Sequence, residues 1–102
     1  MKYWMYAIRP DKTIVNHKGD SGTMSMALYP DDDGNIQTEN NARPRIGVAM
    51  RVGSLYARTI QNQDWWQTTL ITKIVKEWVD TEGASNVVFE TKNSTYHWKA
   101  YV

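Results

Sequence analysis

Few side chains in this chain are of a type that does covalent chemistry, and their spacing does not assemble a site. The two histidines, His17 and His97, stand far apart with no H-x-x-x-H or comparable ligand spacing, so neither reads as half of a zinc pair. Cysteine is absent, which excludes disulfides, thiolate metal sites and a cysteine nucleophile. A serine paired with His97 would need a nucleophile elbow or an equivalent motif, and none is present. The run Asp31 to Asn35 (D-D-D-G-N) clusters carboxylates as a hard cation requires. With Gly34 in the glycine position of a calcium loop, however, Tyr29 falls on the first ligand and Asn40 on the last. Acid followed by glycine is ordinary turn chemistry, and a solvated turn is expected there. Gly19 and Gly22 flank Asp20 and Ser21 without meeting a phosphate-loop or dinucleotide pattern. Nucleophile, base and oxyanion donors do not come together, so the expectation is a protein that is not an enzyme and carries no cofactor or metal.

What remains is recognition. Between Glu39 and Asp64 there is no acid, while Arg43, Arg45, Arg51 and Arg58 fall in that interval, accompanied by Tyr56 and followed by Trp65 and Trp66. Guanidinium groups offer forked donors to phosphates and aromatic rings offer stacking faces, a combination suited to nucleic acid on a small barrel. Arg, Tyr and Trp are equally the residues enriched at protein-interface hot spots. Beside both readings stands a plainer one, in which Arg51 and Arg58 form a solvated strand face and the tryptophans are core. The net charge of +1 supplies little of the counterion-release affinity on which nucleic-acid binders rely. A protein partner is therefore the first expectation, and nucleic acid the alternative.

These residues must be positioned by a small fold. A chain of 102 residues matches one domain and is long enough to bury a core without metal or disulfide staples. Five Trp and six Tyr against one Phe make that core one of amphipathic rings, some of which must stay partly exposed. No stretch approaches the ~20 apolar residues of a membrane span, and Met1 to Ile8 lacks the pattern of a signal peptide. A soluble protein of the cytoplasm is expected.

Alternation of apolar and polar residues points to strands throughout. Lys2 to Ile8 reads as a first strand, stopped by Arg9 and Pro10, and Asp11 to Gly22 as a loop with a short extended piece near Thr13 to Val15. Thr23 to Tyr29 alternates so that Met24, Met26 and Leu28 share a face, and Asp33 with Gly34 signals a turn into Ile36 to Thr38. Ile46, Val48, Met50 and Val52 form another strand, with Gly53 as a break or bulge before Leu55 to Ile60. Gln67 to Val79 is ambiguous. Leu70, Ile71, Ile74, Val75, Trp78 and Val79 recur with helical spacing, yet the density of β-branched residues favours a strand over the possible short helix within 67–80.

Asn86 to Val102 predicts a hairpin. With Asn93 and Ser94 as its central residues, Phe89 lies opposite Trp98 and Glu90 opposite His97. Val87, Phe89, Thr91, Tyr96, Trp98 and Ala100 then share one face, and Glu90, Lys92, His97 and Lys99 the other.

From Val52 onward the pattern V-G-S-L-Y-A-R-T, then Q-D-W-W-Q-T-T-L-I-T-K-I, then V-V-F-E-T-K-N-S-T-Y-H-W resembles a class of small uncharacterised proteins of bacteriophages and related mobile elements. The likeness covers about the C-terminal half and implies no named activity or catalytic residue. It implies a setting, the cytoplasm of a bacterial host; taken with the absence of an assembled catalytic motif, the expected function is that of a non-catalytic phage-type accessory protein that binds a host or phage macromolecule. It also supports the strand reading of Thr68 to Val75.

The expected architecture is mainly β, a single small domain forming a partly open barrel or curved antiparallel sheet with a C-terminal hairpin. Its expected core is Trp4, Tyr6, Ile8, Met24, Met26, Leu28, Ile46, Val48, Met50, Leu55, Leu70 or Ile71, Ile74, Val87, Phe89, Tyr96 and Trp98. Oligomeric state is left open: the last strand offers an edge, but Lys99 on it discourages self-pairing.

Overall fold

β-branched and aromatic residues at alternating positions leave little room for helix, and every regular element among the described residues is a strand. The computed structural model describes residues 1–8, 14–54 and 64–101, with the backbone alone for 14–20 and 64. The strands are β1 (Lys2–Ile8), β2 (Ile14–Gly22), β3 (Met24–Pro30), β4 (Ile36–Asn40), β5 (Ala49–Ser54), β6 (Asp64–Gln67), β7 (Ile71–Val79), β8 (Ser85–Thr91) and β9 (Thr95–Tyr101). They form two antiparallel sheets, one in the order β2-β1-β9-β8-β7 and the other β4-β3-β5-β6. The sheets are not closed into a barrel. At one corner the chain turns from β2 into β3 through Thr23; at another, the Thr68 and Ile71 amides bond to β5 and its approach, at Met50 and Val48, before the chain enters β7.

One core lies between the sheets. The first sheet contributes Tyr3, Met5, Ala7, Val87, Phe89, Tyr96, Trp98 and Ala100, and the second contributes Ala27, Met50 and Val52. The Trp98 indole N–H crosses the gap to donate to Ser25 Oγ at 3.0 Å, and that hydroxyl donates onward to the Ala42 carbonyl at 2.8 Å. A buried donor without such an acceptor would cost about 1–3 kcal/mol, so Ser25 is required to face inward.

Alternation then inverts the expected face of β3. Ser25 and Ala27 point into the core, whereas Met26 and Leu28 are half-buried on the outside; Met24 lies on that outer face although largely covered. β1 is inverted in the same sense, with Tyr3, Met5 and Ala7 buried and Trp4, Tyr6 and Ile8 half-buried on the outer face. Ile46 is 64% exposed because residues 45–48 form a turn before β5 rather than its first residues. Of the Leu70 and Ile71 alternatives, Ile71 is the core residue. Leu55 lies outside the described residues.

The short helix allowed for within 67–80 is not formed; β7 is a strand in that range. Its ladder with β8 is broken by bulges between Ile71 and Lys73 and between Ile74 and Lys76. The first of these adds a residue between Ile71, which faces Thr91, and Ile74, which faces Phe89, so two inward positions stand three apart and mimic a helical spacing. The segment read as a loop before Gly22 is largely strand, because Ile14–Gly22 pairs along the edge of β1 with a bulge at Tyr6/Ala7.

The C-terminal hairpin keeps every expected face but not its pairing. Val87 faces Trp98 and Phe89 faces Tyr96, a slip of two residues, with Thr91 N–H donating to the Ser94 carbonyl at 2.8 Å around Lys92 and Asn93. A slip of two preserves the side-chain alternation.

Two further hairpin loops among the described residues are built alike. In Asp31-Asp32-Asp33-Gly34-Asn35, Asp31 Oδ1 accepts the Asp33 and Asn35 amides, both at 2.9 Å, and Oδ2 accepts Gln37 Nε2 at 2.8 Å. In Asp80-Thr81-Glu82-Gly83-Ala84, Asp80 Oδ1 accepts the Glu82 and Ala84 amides at 3.0 and 3.1 Å, and Oδ2 accepts Asn86 Nδ2 at 3.1 Å. Each loop places glycine in the left-handed region, at φ 84° for Gly34 and 83° for Gly83.

Two glycine substitutions separate close packing from backbone strain. A Cβ on Gly22 would stand 2.2 Å from the Gly53 carbonyl oxygen, backbone against backbone, whereas one on Gly34 would meet open space. Gly22→Ala should lower stability by about 3 kcal/mol, the upper range for overpacking, and Gly34→Ala by about 1 kcal/mol from its positive φ. Urea midpoints of the two variants check this order.

Candidate binding surface

The pairing of β5 with β3 and β6 decides where the arginines and tryptophans go. Arg51 lies opposite both Met26 and Gln67, and Gly53 opposite both Met24 and Trp65. Directly paired residues share a face, so Met24, Met26, Arg51, Trp65 and Gln67 lie together on the outer side of the second sheet, with Leu28. There the Arg51 guanidinium sits 4.1 Å from the centroid of the Trp65 ring. Its Nε and Nη2 both donate to Gln67 Oε1, at 3.0 and 2.7 Å. The arginine is thus held in place by a side chain two residues beyond the ring on which it rests.

The other expected site residues are not brought to this face. Trp66, opposite Val52, packs against the core, and its buried indole N–H has no partner among the described residues. Arg43 pairs with Glu77 at 3.2 Å and lies 6.0 Å from the Trp98 ring. Arg45 pairs with Glu39 at 3.0 Å and lies 5.3 Å from the Tyr29 ring. Acids distant or upstream in sequence therefore meet the arginines of the acid-free interval. Tyr56 and Arg58 lie outside the described residues. Beside the Arg51 face, where β4 ends, an open cleft of about 360 Å³ is lined by Thr23, Met24, Ser25, Met26, Asn40 and Asn41.

The outer face of the first sheet carries a second cluster that was not expected, because Trp4 and Tyr6 were assigned to the core. Trp4 packs edge-on against Tyr6 at 4.4 Å and against His97 at 5.0 Å, and Trp78 lies 5.4 Å from His97 on a tilted plane. Pairing of Tyr6 with His97, and of His97 with Val88, builds this row. Outward positions of β1 and β9 give its only sequence signal. Asn86 fixes the histidine beneath it. Both Asn86 amide hydrogens go to acceptors, Asp80 Oδ2 and the Ala84 carbonyl, each at 3.1 Å, so Asn86 Oδ1 accepts from His97 Nε2–H at 2.8 Å. Lys99 Nζ completes the network on Asp80 Oδ2 at 3.1 Å. Bonds from Asn86 and Lys99 hold the Asp80 carboxyl down at about 2. Burial, then the charge of Lys99, pushes His97 below the usual imidazole range. Enclosed by rings and tied to an amide, His97 is placed as a structural group.

Among the described residues no cluster of three His, Asp or Glu side chains is arranged to hold a metal, and no helix is long and apolar enough to cross a membrane. Comparison with models of protein families, with curated proteins and with solved structures gives no match to this chain.

The His97 environment sets a pH dependence. The folded state resists the proton that the unfolded chain accepts near 6.5, so His97's contribution is complete above that value and declines as pH falls toward its lowered folded value. Thermal midpoints should therefore drop as pH falls below the ordinary 6.5, and His97→Gln should flatten that slope. The Asp80 contribution is lost separately, as pH falls from the ordinary 3.8 through about 2.

Proposed function

We propose that this chain is a non-catalytic binding module that docks on a protein partner through the outer face of its second sheet. The observation that carries the reading is Arg51 held over the Trp65 ring by Gln67, beside the half-buried Met26 and Leu28. An arginine already fixed on a ring loses little further freedom on binding, and Arg and Trp surrounded by apolar side chains are the composition of an interface hot spot. Met26 adds an adaptable apolar contact. The resemblance of the C-terminal half to phage and mobile-element proteins makes a host or phage macromolecule in the bacterial cytoplasm the partner we favour.

Nucleic acid is the less favoured occupant. Arg43 and Arg45 are paired with carboxylates and sit away from Arg51, so no continuous stripe of unpaired guanidinium groups runs across the described surface. Such a stripe is what phosphate binding with strong salt dependence requires.

Capture from a phage-infected bacterial lysate tests the proposal. The wild-type chain should retain a discrete protein, and Arg51→Ala or Trp65→Ala should each weaken retention tenfold or more, in the range of about 1.4 kcal/mol and above. Arg43→Ala should leave it unchanged. Retention on single- or double-stranded nucleic acid that falls steeply with salt, and is lost in Arg51→Ala, would favour the alternative instead.

A further inference from the structure

We propose that the chain pairs with a second copy of itself, antiparallel, along the free edge of β4. All five residues of β4 are exposed, and the strand ends its sheet. The direction of its backbone groups follows from β3. The Ser25 carbonyl accepts the Ala42 amide, so Ser25, Ala27 and Tyr29 turn their polar backbone toward β4. The bonded pairs are then Ala27 with Glu39 and Tyr29 with Gln37, and the Asp31 amide bonded to the Asn35 carbonyl continues the same parity. Ile36, Thr38 and Asn40 are left with N–H and C=O aimed away from the sheet.

Such an edge is a template for pairing unless it is guarded. The contrast with β7 is direct: that edge strand has two bulges and carries Lys73 and Lys76. β4 has regular register with β3 and contains no lysine, proline or bulge, while Ile36 at its start is 63% exposed.

Charge selects both the occupant and the orientation. Asp31, Asp32 and Asp33 precede β4, and Arg43 and Arg45 follow it, each in an exposed ion pair, with Glu77 and Glu39, that a neighbouring acidic loop can share. Antiparallel pairing centred on Thr38 sets Thr38 against Thr38, Gln37 against Glu39 and Ile36 against Asn40. It brings the acidic loop of each copy beside the arginine end of the other. Parallel pairing would set the two acidic loops together. The strand is thus complementary to its own reverse, as an isologous twofold contact requires. A five-residue contact is small, so the dimer forms at high protein concentration. It would also join the outer faces bearing Arg51 and Trp65 into one continuous surface, though the pairing does not depend on that surface's proposed role.

Sedimentation equilibrium from about 10 μM to about 1 mM, a span of roughly 3 kcal/mol in association, tests this. The wild-type mass should rise toward that of a dimer, and amide exchange at Ile36, Thr38 and Asn40 should slow with it. Thr38→Pro removes an outward N–H that the fold does not use and should weaken association tenfold or more. Thr38→Lys, which sets like charges at the axis, should do the same and serves if the proline variant does not fold. Asp32→Lys combined with Asp33→Lys should weaken association at low salt and less so at high salt. A wild-type chain that stays monomeric throughout, or a folded Thr38 variant that dimerises like wild type, overturns the proposal.

Discussion

The hydrogen bond from the Trp98 indole to Ser25, relayed to the Ala42 carbonyl, is the constraint from which the rest of the arrangement follows. Trp98 is buried against Tyr3, with ring centroids 5.9 Å apart, and it occupies the space opposite β3. Only a small polar residue can meet the indole N–H at that distance and pass the bond onward. Ser25 does so, and Ala27 beside it leaves room for the large rings of the first sheet. With Ser25 inside, the period of two sends Met24, Met26 and Leu28 outward. The apolar face on which Arg51 and Trp65 sit is thus a consequence of how the core is closed, one sheet thickness away.

That dependence explains which parts of the fold were legible in the sequence. In β8 and β9 the apolar and charged residues alternate cleanly, so the inward set was readable even though the pairing slips by two. The expected Asn93-Ser94 turn relied on a left-handed asparagine, but Asn41 is the one non-glycine residue with positive φ among those described. β1 and β3 have apolar residues on both faces. In K-Y-W-M-Y-A-I, alternation yields two stripes and no rule for choosing between them; size favoured Trp4 and Tyr6, whereas the core takes Tyr3, Met5 and Ala7. The choice is made by what lies across the gap, which a local window cannot contain. β7 shows the converse, a strand whose bulges give it the spacing of a helix.

The loops show how little sequence is needed when the chemistry is local. Asp31 and Asp80 each organise their own hairpin by accepting amides two and four residues ahead, with a left-handed glycine three residues on. This repeated pattern is present in both D-D-D-G-N and D-T-E-G-A; the first was read as a turn through Asp33 rather than Asp31, and the second as a turn through Gly83 rather than through Asp80. The second loop reaches further. Asp80 holds Asn86 and Lys99, and Asn86 holds His97, so a loop carboxylate anchors the aromatic row on the far side of the sheet from the core. A cross-strand network of this kind penalises register slip in β8 and β9, because any slip breaks several bonds together.

The residues of the proposed binding surface stood out in composition, but their placement was illegible. The interval without acids was real along the chain, but Glu77 lies 34 residues from Arg43 and meets it through the return of β7. Such exposed pairs are worth only about 0–1 kcal/mol and a ligand carrying phosphates would open them readily. Pairing alone therefore does not decide against nucleic acid; position weighs more. Arg43 and Arg45 lie near Trp98 and Tyr29, which are in or packed against the core, whereas Arg51 stands on the opposite side of its sheet. A backbone of phosphates tracks a continuous groove, and one fixed guanidinium among methionine, leucine and tryptophan does not provide one. What that arrangement does provide is a guanidinium held among apolar side chains, the composition on which the proposed protein contact rests.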